Sequence, residues 1–501
     1  MYLVNPDKSF ESCMHIRSDP EAIQSFLTDA SFIREGYADR VVFPESVEDV
    51  SEILARANEE RVPVTVSGAG TGTVGGRVPF GGIVLATDKL NRIRSIVHEG
   101  DGGFAVVEPG VVLADLQRAV DHEGLLYPPD PTERGCFVGG NVATNASGAR
   151  TFKYGPTRHY IRRLKVVLAS GEIIDLRRGE IHADSEGRMR IGQSIELKLP
   201  EYHLPATRKN ATGYFAAPGM DAIDLFIGSE GTLGVVCEIE VKLLPKPSAL
   251  LSGVVFFANE ADVLALVRDV REHVDARAVE FFDNESLQFL RVKYPTIPIG
   301  AAGAIFFEQE TNEANEEAVL TEWMRLLDQH HALADSWFAT NEQDQAKLRE
   351  FRHQLPVLMN EWFSHYKQRK VSTDMAVPDE AFAGLFHLYK TRLQSSGLRY
   401  TIFGHIGDNH VHVNILPRDD AEGARARALY VQFLKYAASV GGTLSAEHGV
   451  GKLKRDYLHF FYNDEQLREM AALKLALDPN GILGRGNIFD PEDTKNTKFV
   501  T

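Results

Sequence analysis

Five glycines lie in one ten-residue stretch, Ser67-Gly-Ala-Gly-Thr-Gly-Thr-Val-Gly-Gly76, directly after the β-branched run Val62-Pro-Val-Thr-Val66. Closely spaced glycines can present several backbone N–H groups to a phosphate as a nest. A doubly wound dinucleotide fold also needs a helix that opens directly after such a loop. Residues 77–85 instead contain Pro79 and a Gly-Gly pair and then become β-like. The stretch therefore predicts a phosphate-binding loop outside a Rossmann fold, with a mobile surface turn as the alternative.

Two further Gly-rich segments, Val138-Gly-Gly-Asn-Val-Ala-Thr-Asn-Ala-Ser-Gly148 and Ile227-Gly-Ser-Glu-Gly-Thr-Leu-Gly234, lie in the same half of the chain. Three such loops favour a long cofactor that threads between them. The sequence around them alternates β-branched runs with helical patterns, which predicts an α+β domain. We expect helices at 47–58 and 113–122, strands at 62–67, 83–86 and 104–107, a hairpin over 161–176, and a strand, turn and long strand over 222–244.

Length and composition limit the class of protein. A chain of 501 residues with 44% hydrophobic content exceeds what one core usually supports, so two or three domains are expected. The net charge of -16 and scattered basic residues argue against nucleic-acid binding and favour a small-molecule substrate. Three widely spaced cysteines indicate a reducing compartment and cannot supply a usual iron–sulfur cluster. Since neither a leader nor a long apolar run is apparent, we expect a soluble, cytoplasmic protein.

Two short motifs near the C-terminus combine four histidines with two acids: Gly404-His-Ile-Gly-Asp-Asn-His-Val-His-Val-Asn414 and Ser445-Ala-Glu-His-Gly-Val-Gly451. They follow a second region of alternating strand and helix patterns, which begins after Pro245-Lys-Pro247. Imidazole and carboxylate together suit a borderline divalent metal, and a spare histidine beside a metal is a natural proton acceptor. These motifs therefore predict the site of chemistry.

The spacing of the histidines leaves the metal ligands open. His405 and His412 are seven positions apart, an odd offset that places them on opposite faces of a plain strand. They can share an ion only if the backbone bends, and Gly407-Asp-Asn409 supplies such a turn. His410, by contrast, already shares a face with His412 and Asn414. Geometry alone does not choose between His405 and His410, and a lone strand histidine is more often a hydrogen-bonded core residue.

Together with Pro128-Pro-Asp-Pro131 and Tyr154-Gly155, these segments resemble the FAD-dependent D-2-hydroxyacid dehydrogenases, a family of vanillyl-alcohol-oxidase-type flavoproteins that includes D-lactate dehydrogenase, glycolate oxidase and D-2-hydroxyglutarate dehydrogenase. The resemblance spans nearly the whole chain. It implies an α+β fold with a VAO/PCMH-type FAD-binding domain of two α+β subdomains and a mixed antiparallel-sheet, ferredoxin-like cap domain. The implied divisions are an N-terminal helical segment at 1–36, the FAD domain at 37–247, the substrate or cap domain at 248–450, and a helical segment at 451–501 that returns to the FAD domain.

The resemblance also implies which residues contact FAD. The first loop is expected to hold the pyrophosphate through Ser67, Gly68, Ala69, Gly70, Thr71, Gly72, Thr73, Gly75 and Gly76. The flavin and ribityl chain are expected against Pro131, Thr132, Gly139, Gly140, Thr144, Asn145 and Ser147. The adenosine side is expected at Glu230, Gly231 and Val236, with Asn487 as a further contact. Some relatives attach flavin through a histidine of the first loop, but no histidine lies between Arg61 and Leu90, so FAD is expected to be non-covalent.

For the metal, the resemblance implies His405, His412 and Glu447 as ligands of zinc, manganese or iron. Relatives usually show Gly-Asn where this chain has Asn409-His410, which leaves His410 as an extra ligand or a neighbour of the ligands. His448 is our hypothesis for the general base: it takes the hydroxyl proton, the metal polarises the hydroxyl, and the Cα hydrogen leaves as hydride to flavin N5. The alternative is a histidine that only supports the metal loop.

The substrate carboxylate requires a cation, and arginine binds carboxylate bidentately. Arg352 resembles the substrate arginine of the family, with Arg349 as a rival three residues away. Lys370 resembles the substrate lysine, although its offset to Asp374 is two residues longer than in the hydroxyglutarate type. Asn414 is the third expected contact. An ordinary solvated surface charge is the alternative for these cations.

The predicted function is FAD-dependent oxidation of a D-2-hydroxy acid, with D-lactate or glycolate favoured, to the 2-oxo acid. The alternatives are a catalytically silent flavoprotein subunit of an oxidase complex, a metal hydrolase, and D-2-hydroxyglutarate dehydrogenase. Because the chain has neither an iron–sulfur nor a nicotinamide motif, the expected electron acceptors are a quinone, a cytochrome or an electron-transfer flavoprotein. A homodimer and peripheral attachment to the inner face of a membrane are left open.

Overall fold

The computed structural model of the chain describes residues 15–489, and its N-terminal part is a small sheet with one long helix. The strands run in the order β1-β2-β4-β3, with β2, β4 and β3 parallel. They and the accompanying helices are β1 (His15–Arg17), α1 (Pro20–Ile23), β2 (Arg40–Phe43), α2 (Val47–Glu60), β3 (Val64–Ser67) and β4 (Ile83–Ala86). The family resemblance implies a helical segment over residues 1–36. The described part of that segment is not purely helical, because strand β1 precedes α1 and pairs with β2.

Local sequence signals account for α2 and for the glycine loop after β3. A capping box between Ser46 and Asp49 starts α2, and its apolar residues at helical spacing pack against the sheet. The loop of residues 68–82 joins the neighbouring parallel strands β3 and β4 without a helix. This confirms that the first glycine loop does not belong to a Rossmann unit.

The second subdomain is an antiparallel sheet in the order β5-β6-β12-β8-β9, with β7 also paired to β12. Its elements are β5 (Ile93–Glu99), β6 (Gly102–Val107), α3 (Leu113–His122), β7 (Leu125–Leu126), α4 (Val138–Thr144), α5 (Thr151–Tyr154), β8 (Ile161–Val167), β9 (Ile173–Arg177), the separate hairpin β10 (Arg188–Ile191) and β11 (Ile195–Lys198), and β12 (Val235–Pro245). The expected helix α3, the β8–β9 hairpin and the long strand β12 are all present.

The strand expected at the start of 222–244 is wrong. Ala222–Leu225 forms a turn of 3-10 helix, which Asp221 caps by accepting a hydrogen bond from the N–H of Ile223. All four residues of the turn are buried, including Asp224, whose carboxylate accepts hydrogen bonds from Arg158 and Arg178. A short, uniformly buried run of this kind carries no periodicity that separates strand from helix.

The cap domain is built on a seven-stranded sheet in the order β16-β13-β15-β14-β18-β19-β17. The sequence favours a mixed antiparallel sheet, and every ladder here is antiparallel. Its elements, followed by the C-terminal helix, are β13 (Ala249–Phe257), α6 (Glu260–His273), β14 (Ala276–Asp283), α7 (Asn284–Leu290), β15 (Gly303–Thr311), α8 (Glu316–Gln329), β16 (Trp337–Ala339), α9 (Glu342–Tyr366), β17 (Val371–Ser372), α10 (Phe382–Ser396), β18 (Tyr400–Gly404), β19 (His412–Ile415), α11 (Asp420–Ser439) and α12 (Asp464–Leu477).

One face of the cap sheet changes character along its strands. Phe256, Phe282 and Phe306 form an apolar core with α7 and α9, and each such ring contributes about 1.5–3 kcal/mol by its burial. On the same face, Glu280 lies two residues from Phe282 on β14 and Glu308 lies two residues from Phe306 on β15, and both acids are buried. Buried acids need polar or charged partners. We therefore expect the functional side chains at this polar end of the sheet face.

Two of the three cysteines, Cys136 and Cys237, are buried free thiols, and Cys13 lies outside the described residues. Across residues 15–489, every helix is too short or too polar to cross a membrane.

Candidate active site

An elongated cavity lies beneath the three Gly-rich loops and contains about 1070 Å³ of space free of protein atoms, part of it open to solvent. The predicted FAD contacts in its wall are Gly68, Ala69, Gly70, Thr71, Gly72, Gly76, Gly139, Gly140, Thr144, Glu230, Gly231 and Val236. Sequence reasoning missed other wall residues, among them Val66, Arg77, Thr87, Pro109, Phe137 and Phe226. His448, from the distant C-terminal motif, lines the same cavity. The cavity therefore extends from the Gly-rich loops to the C-terminal motif that contains Glu447 and His448.

The glycines of the cavity wall fit a phosphate-bearing cofactor. Gly70 and Gly231 have left-handed backbones, with φ of +81° and +69°, a conformation that is strained for residues with a side chain. A Cβ at Gly140 would project into space with nothing within 4 Å, whereas one at Gly139 would lie 2.5 Å from Pro109. The backbone can thus approach a ligand closely on the cavity side while it packs tightly behind.

The remaining predicted cofactor contacts are not among the lining residues of this cavity: Ser67, Thr73, Gly75, Pro131, Thr132, Asn145, Ser147 and Asn487. Asn487 donates hydrogen bonds to the carbonyls of Gly76 (2.8 Å) and Glu230 (3.2 Å), and accepts one from Lys452 (2.6 Å). Its amide is therefore used to fasten the first loop to the third.

A sharp bend between β18 and β19 brings the histidines together. Gly404 has φ of +120°, a 3-10 turn spans Ile406–Asp408, and Asn409 is left-handed with φ of 54°. Glycine and asparagine tolerate these conformations. Because of this bend, His405 and His412 point at the same place although they are seven residues apart.

One cluster combines the ligand atoms of His405, His410, His412 and Glu447, which lie within 4.8 Å of one another. The Glu447 carboxylate is 3.4 Å from His405 Nε2 through Oε2 and 3.2 Å from His412 Nε2 through Oε1. His412 Nδ1 lies 3.0 Å from the carbonyl of Thr373, which fixes the ring with Nε2 toward the cluster. Three imidazoles and a carboxylate at this spacing fit a divalent ion.

Glu280 is a partner that sequence reasoning missed. Its carboxylate lies 2.5 Å from His405 Nδ1 and accepts a hydrogen bond of 2.9 Å from Arg352 Nε. Burial opposes its ionisation, but Arg352 and His405 hold the pKa of Glu280 well below its ordinary value. Burial also disfavours the charged form of His405, yet Glu280 raises the pKa of His405 to about 9. The signal was present as an acid inside the apolar strand Ala278-Val-Glu-Phe-Phe282.

His410 lies inside the cluster rather than outside it. Its Nδ1 is 3.9 Å from Glu447, and its Nε2 is 3.1 Å from Asp374 Oδ1 but is not aligned for a hydrogen bond. Burial, and then His412, lower the pKa of His410 to about 3, so the ring is neutral. A neutral imidazole with both nitrogens unbonded is equipped to bind an ion, and its role as ligand or neighbour stays open.

His448 is both accessible and held in place. Its side chain is 33% exposed, and its ring stacks on His412 with centroids 5.3 Å apart. Nδ1 is 3.3 Å from Asp374 Oδ2, and the backbone N–H of His448 donates to the same oxygen at 3.1 Å. A buried carboxylate beside Nδ1 favours the tautomer that leaves Nε2 free to accept a proton.

Asp374 owes its charge to a buried lysine. Lys454 Nζ and Ser445 Oγ each donate a hydrogen bond of 2.6 Å to Asp374 Oδ2. Burial opposes ionisation, but His448 and Lys454 hold the pKa of Asp374 well below its ordinary value. The ionised carboxylate can therefore orient His448.

Glu230 lines the cavity, yet its carboxylate serves the loop after His448. It accepts hydrogen bonds of 2.7 Å from the backbone N–H groups of Val450 and Gly451. Burial raises the pKa of Glu230 to about 6, and those two N–H groups oppose the rise. The third glycine loop and the metal-type motif are thus fastened to each other.

The residues predicted to bind the substrate differ in their burial and in their contacts with the cluster. Asn414 is buried two residues beyond His412 on β19, and its Nδ2 lacks a hydrogen-bond acceptor among the described residues. Arg352 is used by Glu280, as above. Lys370, just ahead of β17, has a solvent-accessible side chain, but desolvation by the surrounding protein lowers its pKa. The structure therefore brings Asn414 and Arg352 to the cluster and shows no contact between Lys370 and the described residues of the cluster.

Lys209 is a second residue that sequence reasoning missed. It is fully buried, with Nζ donating to Glu447 Oε2 (3.2 Å) and to the carbonyl of Gly148 (3.0 Å), and it is 3.5 Å from Asp408. It connects the second glycine loop with the metal cluster. No sequence pattern distinguishes such a lysine from a surface one.

Lys209→Met should lower the free energy of unfolding of the metal-free protein by about 3–5 kcal/mol, since it leaves Glu447 and Asp408 buried without their cation. Urea unfolding of chelator-treated protein measures the loss. Lys246→Met is the matched control, because Lys246 pairs with Asp121 at 2.7 Å while about half exposed, and such pairs contribute about 0–1 kcal/mol. Equal unfolding of both variants would contradict the role of Lys209.

Comparison with known proteins agrees with this geometry. Residues 38–177 match the FAD binding domain family, and residues 246–488 match the family of FAD linked oxidases, C-terminal domain. The chain is 32% identical over 467 residues to D-lactate dehydrogenase of Anaerostipes hadrus, and the aligned region covers 88% of each protein. The chain belongs to the FAD-dependent D-2-hydroxyacid dehydrogenase family. Other relatives of this family member are glycolate oxidase subunit GlcD of Bacillus subtilis (31% identical, 93% of this chain and 92% of that one) and D-2-hydroxyglutarate dehydrogenase of Stutzerimonas stutzeri (31%, 90% of each).

Solved structures share the fold of this FAD-dependent dehydrogenase family member at lower identity. The 4-ethylphenol oxidase of Gulosibacter chungangensis superposes with a TM-score of 0.68 at 20% identity and covers 95% of each chain. An alkyldihydroxyacetonephosphate synthase gives a TM-score of 0.68 at 17% identity, over 94% of this chain and 82% of that one. The expected α+β flavoprotein fold is thereby confirmed.

Proposed function

We propose that the chain oxidises a D-2-hydroxy acid to the corresponding 2-oxo acid, with FAD in the cavity and a divalent metal at His405, His412 and Glu447. The observation that carries the proposal is the position of His448, which lines the FAD cavity and lies 3.6 Å from the carboxylate of Glu447. The relatives named above act on D-lactate, glycolate or D-2-hydroxyglutarate according to their names, which supports this substrate class.

The cluster is prepared to receive a metal ion. Burial opposes the ionisation of Glu447, but Lys209 and His405 hold its pKa well below the ordinary value, so it is a carboxylate. Burial lowers the pKa of His412, so it is a neutral imidazole. Only His405 carries a proton that an ion must displace. Imidazole and carboxylate donors suit zinc, manganese or iron.

The residues divide the reaction between them. When bound, the metal polarises the hydroxyl oxygen and FAD accepts the hydride from Cα. His448 takes the hydroxyl proton at Nε2, while Asp374 near Nδ1 stabilises the resulting imidazolium. Asn414 offers its free Nδ2–H to the substrate carboxylate, and Arg352 and Lys370 are the candidate cations for the same group. Ser147, whose Oγ donates to Glu447 Oε2 at 3.3 Å, positions the metal ligand.

Electrons then leave to an acceptor other than nicotinamide, for which a quinone, a cytochrome and an electron-transfer flavoprotein are our candidates. The cytoplasm remains the predicted location.

A purified yellow protein should lose its visible flavin absorption under anaerobic conditions with the D enantiomer of a 2-hydroxy acid and not with the L enantiomer. Prior chelation should prevent this reduction and leave FAD bound, and zinc or manganese should restore it. A yellow protein that no hydroxy acid reduces would support a silent flavoprotein subunit instead. A colourless, metal-dependent protein would point to a hydrolase and overturn the proposal.

A further inference from the structure

Four arginines surround the polar end of the cap sheet. Arg277 lies on β14, and Arg349 and Arg352 come from α9. Arg150, with Asp130, approaches from the FAD-binding half, and Asp130 interacts electrostatically with Arg150 and Arg352. The cluster thus spans the two halves of the molecule.

Three of these guanidinium groups lack hydrogen bonds. Arg277, with its side chain 5% exposed, is 3.4 Å from Glu308, Arg349 is 3.6 Å from the same acid, and Arg150 Nε is 3.2 Å from Asp130. None of these contacts has hydrogen-bond geometry: the buried Nε atoms of Arg150 and Arg277 have no hydrogen-bond partner among the described residues, and the side chain of Arg349, which is 29% exposed, has Glu308 as its ion-pair partner. A guanidinium carries five N–H donors, and leaving them unmet when buried is costly.

Two other buried arginines, Arg158 and Arg352, are hydrogen-bonded to their acids. Arg158 donates to the carboxylate of Asp224 at 3.0 Å and to that residue's carbonyl at 2.6 Å, and Arg352 donates to Glu280 at 2.9 Å. Beside the unmet arginines, Ser252 pairs with Glu308 across β13 and β15, and its buried hydroxyl also has no partner. Three buried donors without a partner, the Nε atoms of Arg150 and Arg277 and the hydroxyl of Ser252, thus belong to this cluster, although single buried donors such as Trp323 Nε1 also lack a partner elsewhere among the described residues.

The balance of charge in the cluster also favours a bound anion. The four arginines exceed the three acids Asp130, Glu280 and Glu308 by one positive charge. Burial, and then Arg150, lower the pKa of Arg277 to about 10, so the group is held charged at neutral pH against an unfavourable environment. An anion would relieve both the charge and the missing acceptors.

The subsite lies beside the metal cluster. Glu280 touches both Arg352 and His405, and Glu308 is on the neighbouring strand β15. Glu280 links the two groups directly through its contacts of 2.5 Å with His405 and 2.9 Å with Arg352, and Arg277 lies three residues before Glu280 on β14, about 10 Å along the strand. This is a separation that a short carbon chain can bridge.

We propose that Arg150, Arg277 and Arg349 form a second anion subsite, which binds the distal carboxylate or phosphate of a 2-hydroxy acid whose hydroxyl end lies at the metal cluster. The inference rests on the proposed function and narrows it to substrates with a second anionic group, in preference to lactate or glycolate.

Calorimetric binding of 2-oxo products to the FAD-loaded, metal-loaded protein tests the subsite without turnover. We expect 2-oxoglutarate to bind about 10–100-fold more tightly than 2-oxovalerate, which replaces the distal carboxylate with a methyl group. Arg277→Met should remove that advantage and leave 2-oxovalerate binding within about threefold. Phosphohydroxypyruvate against hydroxypyruvate is the parallel pair that identifies phosphate as the preferred anion.

Arg134→Met is the matched control. Arg134 is 45% exposed and already donates to Asp130 at 3.1 and 3.2 Å, so its loss should change neither ratio. Equal affinities within both pairs, or equal effects of Arg277→Met on both members, would overturn the subsite. If 2-oxoglutarate binding depends on Arg277 but no hydroxy acid reduces the flavin, the subsite stands and the proposed oxidation fails.

Discussion

His448→Asn should slow flavin reduction by about 100- to 10,000-fold while the protein stays yellow. Asparagine keeps a hydrogen-bonding group of similar size but cannot accept the hydroxyl proton near neutral pH. His448 is one of many residues in the cavity wall, and the carboxylate of Glu230 binds the backbone of Val450 and Gly451 independently of the His448 ring. FAD binding should therefore survive the change.

Anaerobic stopped-flow reduction, with FAD content measured on the same sample, is the appropriate experiment. His387→Asn is the matched control, since His387 is an exposed residue of α10 and should leave the rate unchanged. A His448→Asn protein that is reduced at the wild-type rate would exclude His448 as the base and leave it as a support of the metal loop.

Glu447→Gln should weaken metal binding by at least about 100-fold and leave FAD bound. Glutamine keeps the shape of the side chain, but the charge that faces His405 Nε2 at 3.4 Å and His412 Nε2 at 3.2 Å is lost. The buried ammonium of Lys209, 3.2 Å away, then repels the incoming ion without compensation.

Metal content after dialysis and competition with a chromophoric chelator measure this loss. Glu123→Gln, at an exposed site with 54% of its side chain accessible, is the control for the same chemical change. Wild-type metal affinity in Glu447→Gln would remove Glu447 from the ligand set and would shift attention to the second possible group, Asp374 with His448.

Much of the fold could be predicted because its signals are local. Helix α2 has a capping box and helical spacing of apolar residues, and β12 ends at the double proline that marks the start of the cap. The order of the seven cap strands has no such signal, since it depends on pairings between distant residues. The 3-10 turn at Ala222–Leu225 shows the other limit, because its uniform burial erases periodicity.

The candidate site divides in the same way. The two C-terminal motifs are short and dense in histidine, so a metal site could be anticipated there, but spacing left His405 and His410 as alternatives and only the family resemblance favoured His405, His412 and Glu447. Lys209 and Glu280 could not be anticipated, because each is a single charged residue whose partner lies far away in sequence. His410 is the residue on which structure adds most: it lies within the cluster, where spacing alone left it as one of two choices.

Glu230 has a consequence for how the protein assembles with its ligands. Its backbone forms part of the flavin cavity, while its carboxylate holds the N–H groups of residues 450 and 451, just beyond Glu447 and His448. Any displacement of that loop disturbs both binding sites at once, so the two equilibria are thermodynamically linked. Reciprocity then requires that whatever factor FAD contributes to the affinity for metal, metal contributes to the affinity for FAD, and the FAD that stays bound after chelation is held more weakly by that same factor.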